Sequence, residues 1–176
     1  MEMEELKSAE VITAGFPCQD ISLAGKGAGL SGERSGLWWQ VRRTIRMVRP
    51  RIAVLENVAE LLGRGMGTVL GSLASIGYDA EWNCISSAAV GAPHERERVW
   101  ILANSDETQR EGGSISERIQ KEYSNTSYPR RGKDKPGVVR TLNGLPNQMD
   151  RLAALGNSID PGISELIGRA IMETGK

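Results

Sequence analysis

Cys18 follows a short apolar run, Val11-Ile12-Thr13-Ala14, that breaks off at Gly15. A thiol in that place can act as a nucleophile if its surroundings favour the thiolate, and open α/β sheets bind ligands at the carboxyl ends of their strands. Taken alone, Cys18 is more often a small buried hydrophobe. Glu56 ends a second apolar run, Ile52-Ala53-Val54-Leu55, and reads either as an exposed carboxylate or as a proton-handling group. Arg96 and Arg98 alternate with Glu95 and Glu97 ahead of a third run, Val99-Trp100-Ile101-Leu102-Ala103. They are either a solvated surface pair or donors aimed at developing negative charge. Which reading holds depends on whether the fold gathers these side chains.

The elements between them decide that. Trp38, Val41, Ile45 and Val48 recur at helical spacing, and Pro50 closes the helix. Arg42, Arg43, Arg46 and Arg49 lie elsewhere around the wheel, more often a solvated face than a phosphate grip. Strand, helix and strand in that order predict a right-handed parallel crossover, which would bring Cys18 and Glu56 to one sheet edge. The intervening segment from Gly15 to Gly36 holds six glycines and reads as a loop, either a mobile lid or a surface excursion.

Further along, a second helix is expected from about Met66 to Ser75, with Val69, Leu70 and Leu73 inward and Gly77 at its end. Tyr78 to Ser86 reads as a strand, and the short link to the Val99 run predicts an antiparallel pair. Trp82, Trp100 and Cys84 are read as core or edge packing. From Asn104 to Arg140 the composition turns to Ser, Gly, Asn, Thr, Arg and Lys, and the segment reads as loop. Arg130, Arg131, Lys133, Lys135 and Arg140 give it a basic stretch suited to phosphates. The tail from about Asn147 reads as helical, with Ile159, Ile163, Leu166, Ile167, Ala170 and Ile171 on one apolar face and Pro161 in a first turn.

Composition removes several classes. Lys+Arg and Asp+Glu both number 22, so any nucleic-acid contact must rest on local clusters, not on global charge. The acidic amino terminus lacks the apolar core of a signal peptide. No apolar run approaches the roughly 20 residues of a membrane span. The two cysteines, Cys18 and Cys84, lie far apart with no metal-ligand spacing, so no metal site is expected. The chain reads as cytoplasmic, with reduced thiols.

Four stretches carry a family resemblance. Gly15-Phe16-Pro17-Cys18-Gln19 resembles the catalytic loop of DNA cytosine-5 methyltransferases, and Leu55-Glu56-Asn57-Val58 resembles their second catalytic signature. Ala92-Pro93-His94-Glu95-Arg96-Glu97-Arg98-Val99-Trp100 is similar to the arginine-pair strand, and Leu155-Gly156-Asn157-Ser158-Ile159 to the closing motif. The wording is nearest to short, phage-type members. The resemblance implies a partial Rossmann-like class I methyltransferase sheet of α/β class, with helices on both faces and an antiparallel strand pair at the end. It implies a catalytic part over 1–103, a short loop-rich DNA-recognition segment over 104–140, and closing helices over 141–176. Recognition segments of about 40 residues, as here, suit a short or loose sequence preference.

The implied chemistry is methyl transfer from S-adenosylmethionine to carbon 5 of a cytosine flipped out of double-stranded DNA. Cys18 would add to carbon 6, Glu56 would carry or share a proton at ring nitrogen 3, and Arg98 would hold the carbonyl oxygen. Arg96 would fix the loop and the site's electrostatics. Pro17, Gln19, Ser22 and Asn57 would contact the substrate, Asn157 and Ser158 the cofactor, and Arg130, Arg131, Lys133 and Lys135 the DNA backbone. His94 stands where the family often has glutamine, and a polar loop contact is expected of it. The family's glycine-rich cofactor turn is expected upstream of the catalytic loop, and no such turn precedes Val11. The chain therefore reads as a catalytic half, which a truncated product, a late start codon or one piece of a split enzyme would each explain, with a second chain or self-association expected to cover an exposed edge beside the Val11 strand. A catalytically inactive DNA-binding remnant is the rival reading; restriction-modification and phage self-protection are both open as biological roles.

Overall fold

The computed structural model describes residues 9–17, 36–92, 95–105, 114–125 and 159–172. These fall into two compact units, one within 1–85 and 97–118 and the other within 86–96 and 119–176.

The first unit is built on a four-stranded sheet. Its strands are β1 (Val11–Gly15), β2 (Ile52–Val58), β3 (Tyr78–Ser86) and β4 (Glu97–Ser105), in the spatial order β1-β2-β4-β3. Helix α1 (Gly36–Val48) joins β1 to β2, which pair in parallel with Val11 beside Ile52 and Gly15 beside Glu56. A short turn of helix, α2 (Leu61–Arg64), and helix α3 (Met66–Ala74) lead from β2 to β3. β4 returns antiparallel to β2, with Val58 opposite Arg98 and Ile52 opposite Asn104.

β2 sits between two neighbours, so its residues Ile52 to Leu55 are all buried and read as one apolar run. Side chains alternate between its faces. Ala53 and Leu55 join Val99, Ile101 and Ala103 in a core that also takes in Trp38 and Ile45 of α1 and Val69 and Leu73 of α3. The spacing expected for the two helices is therefore the spacing that buries them. A polar pin holds them together: the Trp38 indole donates to Ser72 Oγ at 3.1 Å, and Ser72 Oγ donates to the Val69 carbonyl at 2.8 Å.

Several elements run beyond their apolar stretches. β2 continues through Glu56 and Asn57 to Val58, and β4 begins at Glu97, because each strand supplies the other's backbone partners. Trp100 is buried, as expected, but Trp82 on the outer strand β3 is 45% exposed and is not core. β1 is the opposite edge, with Thr13 and Gly15 exposed and Val11, Ile12 and Ala14 half-buried. The edge expected beside the Val11 strand is present among the described residues.

Helix α4 (Ile115–Asn125) falls where composition reads as loop. Ile115, Ile119 and Tyr123 are spaced at four residues, and Ser114-x-x-Glu117 is a capping-box pattern. Ser114 Oγ accepts from the Ser116 amide at 3.1 Å and donates to the Glu81 carboxylate.

In the second unit a 3₁₀ turn, Ser87–Val90, meets helix α5 (Pro161–Met172). Pro161 is the first helical residue, and Asp160 Oδ1 accepts from the Gly162 amide at 2.9 Å. Ile163, Leu166, Ile167, Ala170 and Ile171 are buried as the sequence predicts, whereas Ile159 is exposed. A methyl group added at Gly162 would lie 3.1 Å from Val90 Cγ2, so glycine permits the close approach. The expected helical stretch from Asn147 to Ser158 lies outside the described residues.

Tyr78 locks the start of β3 to the end of α1. Its hydroxyl donates to the Pro50 carbonyl at 2.6 Å, and the Arg49 guanidinium lies 5.2 Å over its ring. Burial pushes the Tyr78 hydroxyl above its ordinary 10.0, while Arg49 pulls it down by less. The unfolded chain then ionises first, so this contribution is fully present below about pH 10 and is lost as pH climbs through the raised value. Urea unfolding of Tyr78→Phe is expected to show a loss of about 1–3 kcal/mol at neutral pH. A shallower decline above pH 10 than in the wild type is expected alongside it.

Candidate active site

The carboxyl ends of β1 and β2 converge because the strands are parallel neighbours. Gly15 lies beside Glu56 in the register, and a methyl group added at Gly15 would stand 3.4 Å from Glu56 Oε2. The strand end therefore lies directly beside that carboxylate. Phe16, the one phenylalanine of the sequence, turns into the core, with its ring centroid 4.8 Å from that of Trp38. Pro17 is exposed, and the described chain stops there, one residue before Cys18.

Asn57 fastens this corner. It is only 3% exposed, and its Nδ2 donates to the Phe16 carbonyl at 2.8 Å. Its Oδ1 accepts from the Val58 amide at 2.9 Å. Both ends of the side-chain amide are thus used, which is what burial of such a group requires. An aspartate could not donate to the carbonyl, and an aliphatic residue would leave that carbonyl unsatisfied. Asn57 is therefore a positioning residue here, one that ties Phe16, just past the end of β1, to β2.

Glu56 and Arg98 meet across the β2–β4 pair. Glu56 is opposite Trp100 and Arg98 opposite Val58, so the two side chains are diagonal neighbours on one face. Arg98 Nε lies 3.1 Å from Glu56 Oε1, with the side chains 21% and 14% exposed. Arg98 Nη1 also donates to the Glu97 carbonyl at 2.8 Å, which helps to fix the guanidinium plane. An ion pair so sheltered is screened far less than a surface one. The arrangement holds a carboxylate and a planar cation at a half-open strand end, suited to receiving a polar ring that needs both a donor and an acceptor.

Of the residues singled out by sequence, the structure brings together Glu56, Asn57 and Arg98, with Pro17 following Phe16 at the same corner. Arg96 belongs to the second unit, where its carbonyl accepts from the Ser87 amide at 3.0 Å. Cys18, Gln19, Ser22, His94, Arg130, Arg131, Lys133, Lys135, Asn157 and Ser158 lie outside the described residues. Phe16 was not singled out as an anchor, though a lone phenylalanine between Gly15 and Pro17 is a visible signal. No cluster of His, Cys, Asp and Glu able to hold a metal ion occurs among the described residues. Nor is any described helix long and apolar enough to cross a membrane.

Cys84 is exposed on β3, and its thiol is pushed above its ordinary value first by partial burial and then by the Glu97 carboxylate. Both effects reduce the thiolate, so the structure gives Cys84 no nucleophilic role.

A family model described as C-5 cytosine-specific DNA methylase matches residues 1–157. The chain is 35% identical over 105 residues to the Type II methyltransferase M.BanI of Aneurinibacillus aneurinilyticus, covering 57% of this chain and 24% of that protein. It is 38% identical over 104 residues to the Type II methyltransferase M.Sau3AI of Staphylococcus aureus, covering 53% and 25%. Among solved structures it is similar to the S. pombe Dnmt2 methyltransferase, at 19% identity and a TM-score of 0.47 over 63% of this chain and 33% of that one. The chain spans about a quarter of the length of the first two of these relatives.

Two outcomes check this corner. Asn57→Ala is expected to lower stability by about 1–3 kcal/mol in urea unfolding, since it strands the buried Phe16 carbonyl. In a Cys18→Ser background, alkylation of Cys84 by iodoacetamide at neutral pH should be slower than that of an unperturbed thiol. Glu97→Gln should speed it.

Proposed function

This chain belongs to the C-5 cytosine-specific DNA methylase family, and we propose that it forms the catalytic end of a DNA cytosine-5 methyltransferase acting on double-stranded DNA. The observation that carries the reading is the Glu56–Arg98 pair, held beside the strand end from which the Cys18 loop departs. Cys18 follows Pro17 in the sequence, two residues after the Phe16 carbonyl that Asn57 holds.

The steps assigned to this chain's own residues run as follows. The target cytosine is stacked in the duplex and must be flipped out, at a cost of a few kcal/mol, with Gln19 and Ser22 helping to hold it. The Cys18 thiolate adds to carbon 6, forming a carbon–sulfur bond and pushing electrons into the ring. Glu56 delivers or shares a proton at nitrogen 3, and Arg98 donates to the carbonyl oxygen, so the added charge meets donors already in place. The ring becomes enamine-like and carbon 5 becomes the nucleophile. After carbon 5 has been substituted, its proton leaves and the sulfur is expelled from carbon 6, which restores the aromatic ring. Arg96 keeps the loop's electrostatics, and the basic residues Arg130, Arg131, Lys133 and Lys135 bind backbone phosphates.

S-adenosylmethionine is the proposed methyl donor, supplying an electrophilic methyl group to carbon 5. The described residues form no cradle for it. Gly15, the glycine at a described strand end on this corner, faces the chain's own Glu56 carboxylate, not open space. Asn157 and Ser158 are the proposed contacts to the donor, and the remainder of its site is assigned to polypeptide beyond the described residues. Among the described residues β1 pairs on one side only, which favours a second arrangement of the same reading, in which another chain, or a second copy of this one, adds strands there.

Transfer of labelled methyl groups to duplex DNA tests the proposal. Transfer by the wild type that Cys18→Ser abolishes, and that Arg98→Ala lowers by about 10²–10³, supports it. DNA binding with no transfer by either protein would instead favour a binding remnant.

A further inference from the structure

We propose that a cleft on the far side of α1 is a phosphate-binding site. The cleft has a volume of about 370 Å³ and is lined by Arg42, Arg46, Arg49, Ser75 and Ile76. It lies away from the catalytic corner: Arg49 precedes the first residue of β2, whereas Glu56 is near that strand's other end. The inference does not rest on methyl transfer.

Arg42 and Arg46 are one helical turn apart on α1, and Arg49 follows the helix on the same side, so three guanidinium groups converge with no acidic residue among the described lining residues. Neutral oxygens hold two of them. Arg42 Nε donates to the Ser72 carbonyl at 3.0 Å and its Nη2 to Ser75 Oγ at 3.0 Å. Arg49 Nη1 donates to the Ile76 carbonyl at 2.6 Å. These bonds fix the two planar forks, and their other described neighbours are the Trp39 and Tyr78 rings, 5.8 and 5.2 Å away, not carboxylates, which leaves net positive charge to meet a phosphate with little reorganisation.

Two local costs are retained at this place. Like charges a turn apart weaken a helix. Arg49 also adopts φ 52°, in the left-handed region where glycine is favoured at a helix end. Favourable interaction of arginine with the carboxyl end of the helix dipole accounts for some of the charge. The Ile76 carbonyl and the Tyr78 ring account for Arg49 at its position, but none of these accounts for three arginines around one concavity. A bound oxyanion relieves the mutual repulsion, and the volume admits a phosphate with an attached sugar. The phosphate belongs either to a nucleic-acid backbone or to a free nucleotide.

Arg46 is exposed and is the lining residue whose replacement disturbs the fold least. The full chain is titrated with a short labelled duplex over a range of salt, and separately with adenosine monophosphate and inorganic phosphate. Arg46→Gln is compared with Arg43→Gln, an exposed position on the same helix that does not line the cleft, once matched circular dichroism and melting confirm both folds. Weaker duplex binding in Arg46→Gln alone, severalfold and with the salt slope reduced by about 0.9, supports the site with a backbone phosphate as ligand. Unchanged duplex binding with loss of nucleotide or phosphate binding in Arg46→Gln alone supports it with a free phosphate. Equal effects of the two substitutions, or none in any titration, overturn it.

Discussion

The parallel pairing of β1 with β2 is the constraint on which the rest depends. It sets Gly15 beside Glu56, and it lets one buried amide, Asn57, reach back to the Phe16 carbonyl. A parallel pair needs a long crossover, and α1 supplies it while burying Trp38 and Ile45 against the sheet. The strand ends are therefore positioned by the same packing that makes the core. Loosening the helix would misplace the corner as surely as altering a residue within it.

β4 adds the second half of the arrangement. Its antiparallel return brings Arg98 across to Glu56 diagonally, and the Glu97 carbonyl restrains the guanidinium from its own strand. The pair is too sheltered to behave as a surface ion pair and too open to be a sealed one. In the proposed chemistry an incoming polar ring exchanges with either partner without leaving a buried charge stranded. This balance of shelter and access distinguishes the corner from the molecule's exposed ion pairs, such as Arg169 with Glu165.

Much of the fold is legible in the sequence because apolar runs mark buried strands and a 3.6-residue period marks α1 and α3. The ends are not. Glu56, Asn57 and Arg98 look like loop residues by type, yet backbone pairing between β2 and β4 carries both strands through them. Their meeting depends on register, and register is a relation between strands that neither strand displays alone. Helix α4 is hidden in a polar composition in which Ile119 is the residue that is buried, although the serine that caps it stands in plain view. Trp82 marks a second limit: core or edge packing was open to it by type, and only the strand order, which places β3 at an edge among the described residues, decides for the edge.

The proposed chemistry requires the Cys18 thiol to come within reach of the Glu56 carboxylate. Disulfide formation measures that approach, because two cysteines bridge only when their Cα atoms come within about 7 Å. Glu56→Cys in a Cys84→Ser background leaves two thiols, and mild oxidation followed by peptide mass spectrometry reports whether they join. The account predicts a dominant intrachain bridge between position 56 and Cys18. Two thiols that stay free, each still open to alkylation in the folded protein, would contradict it.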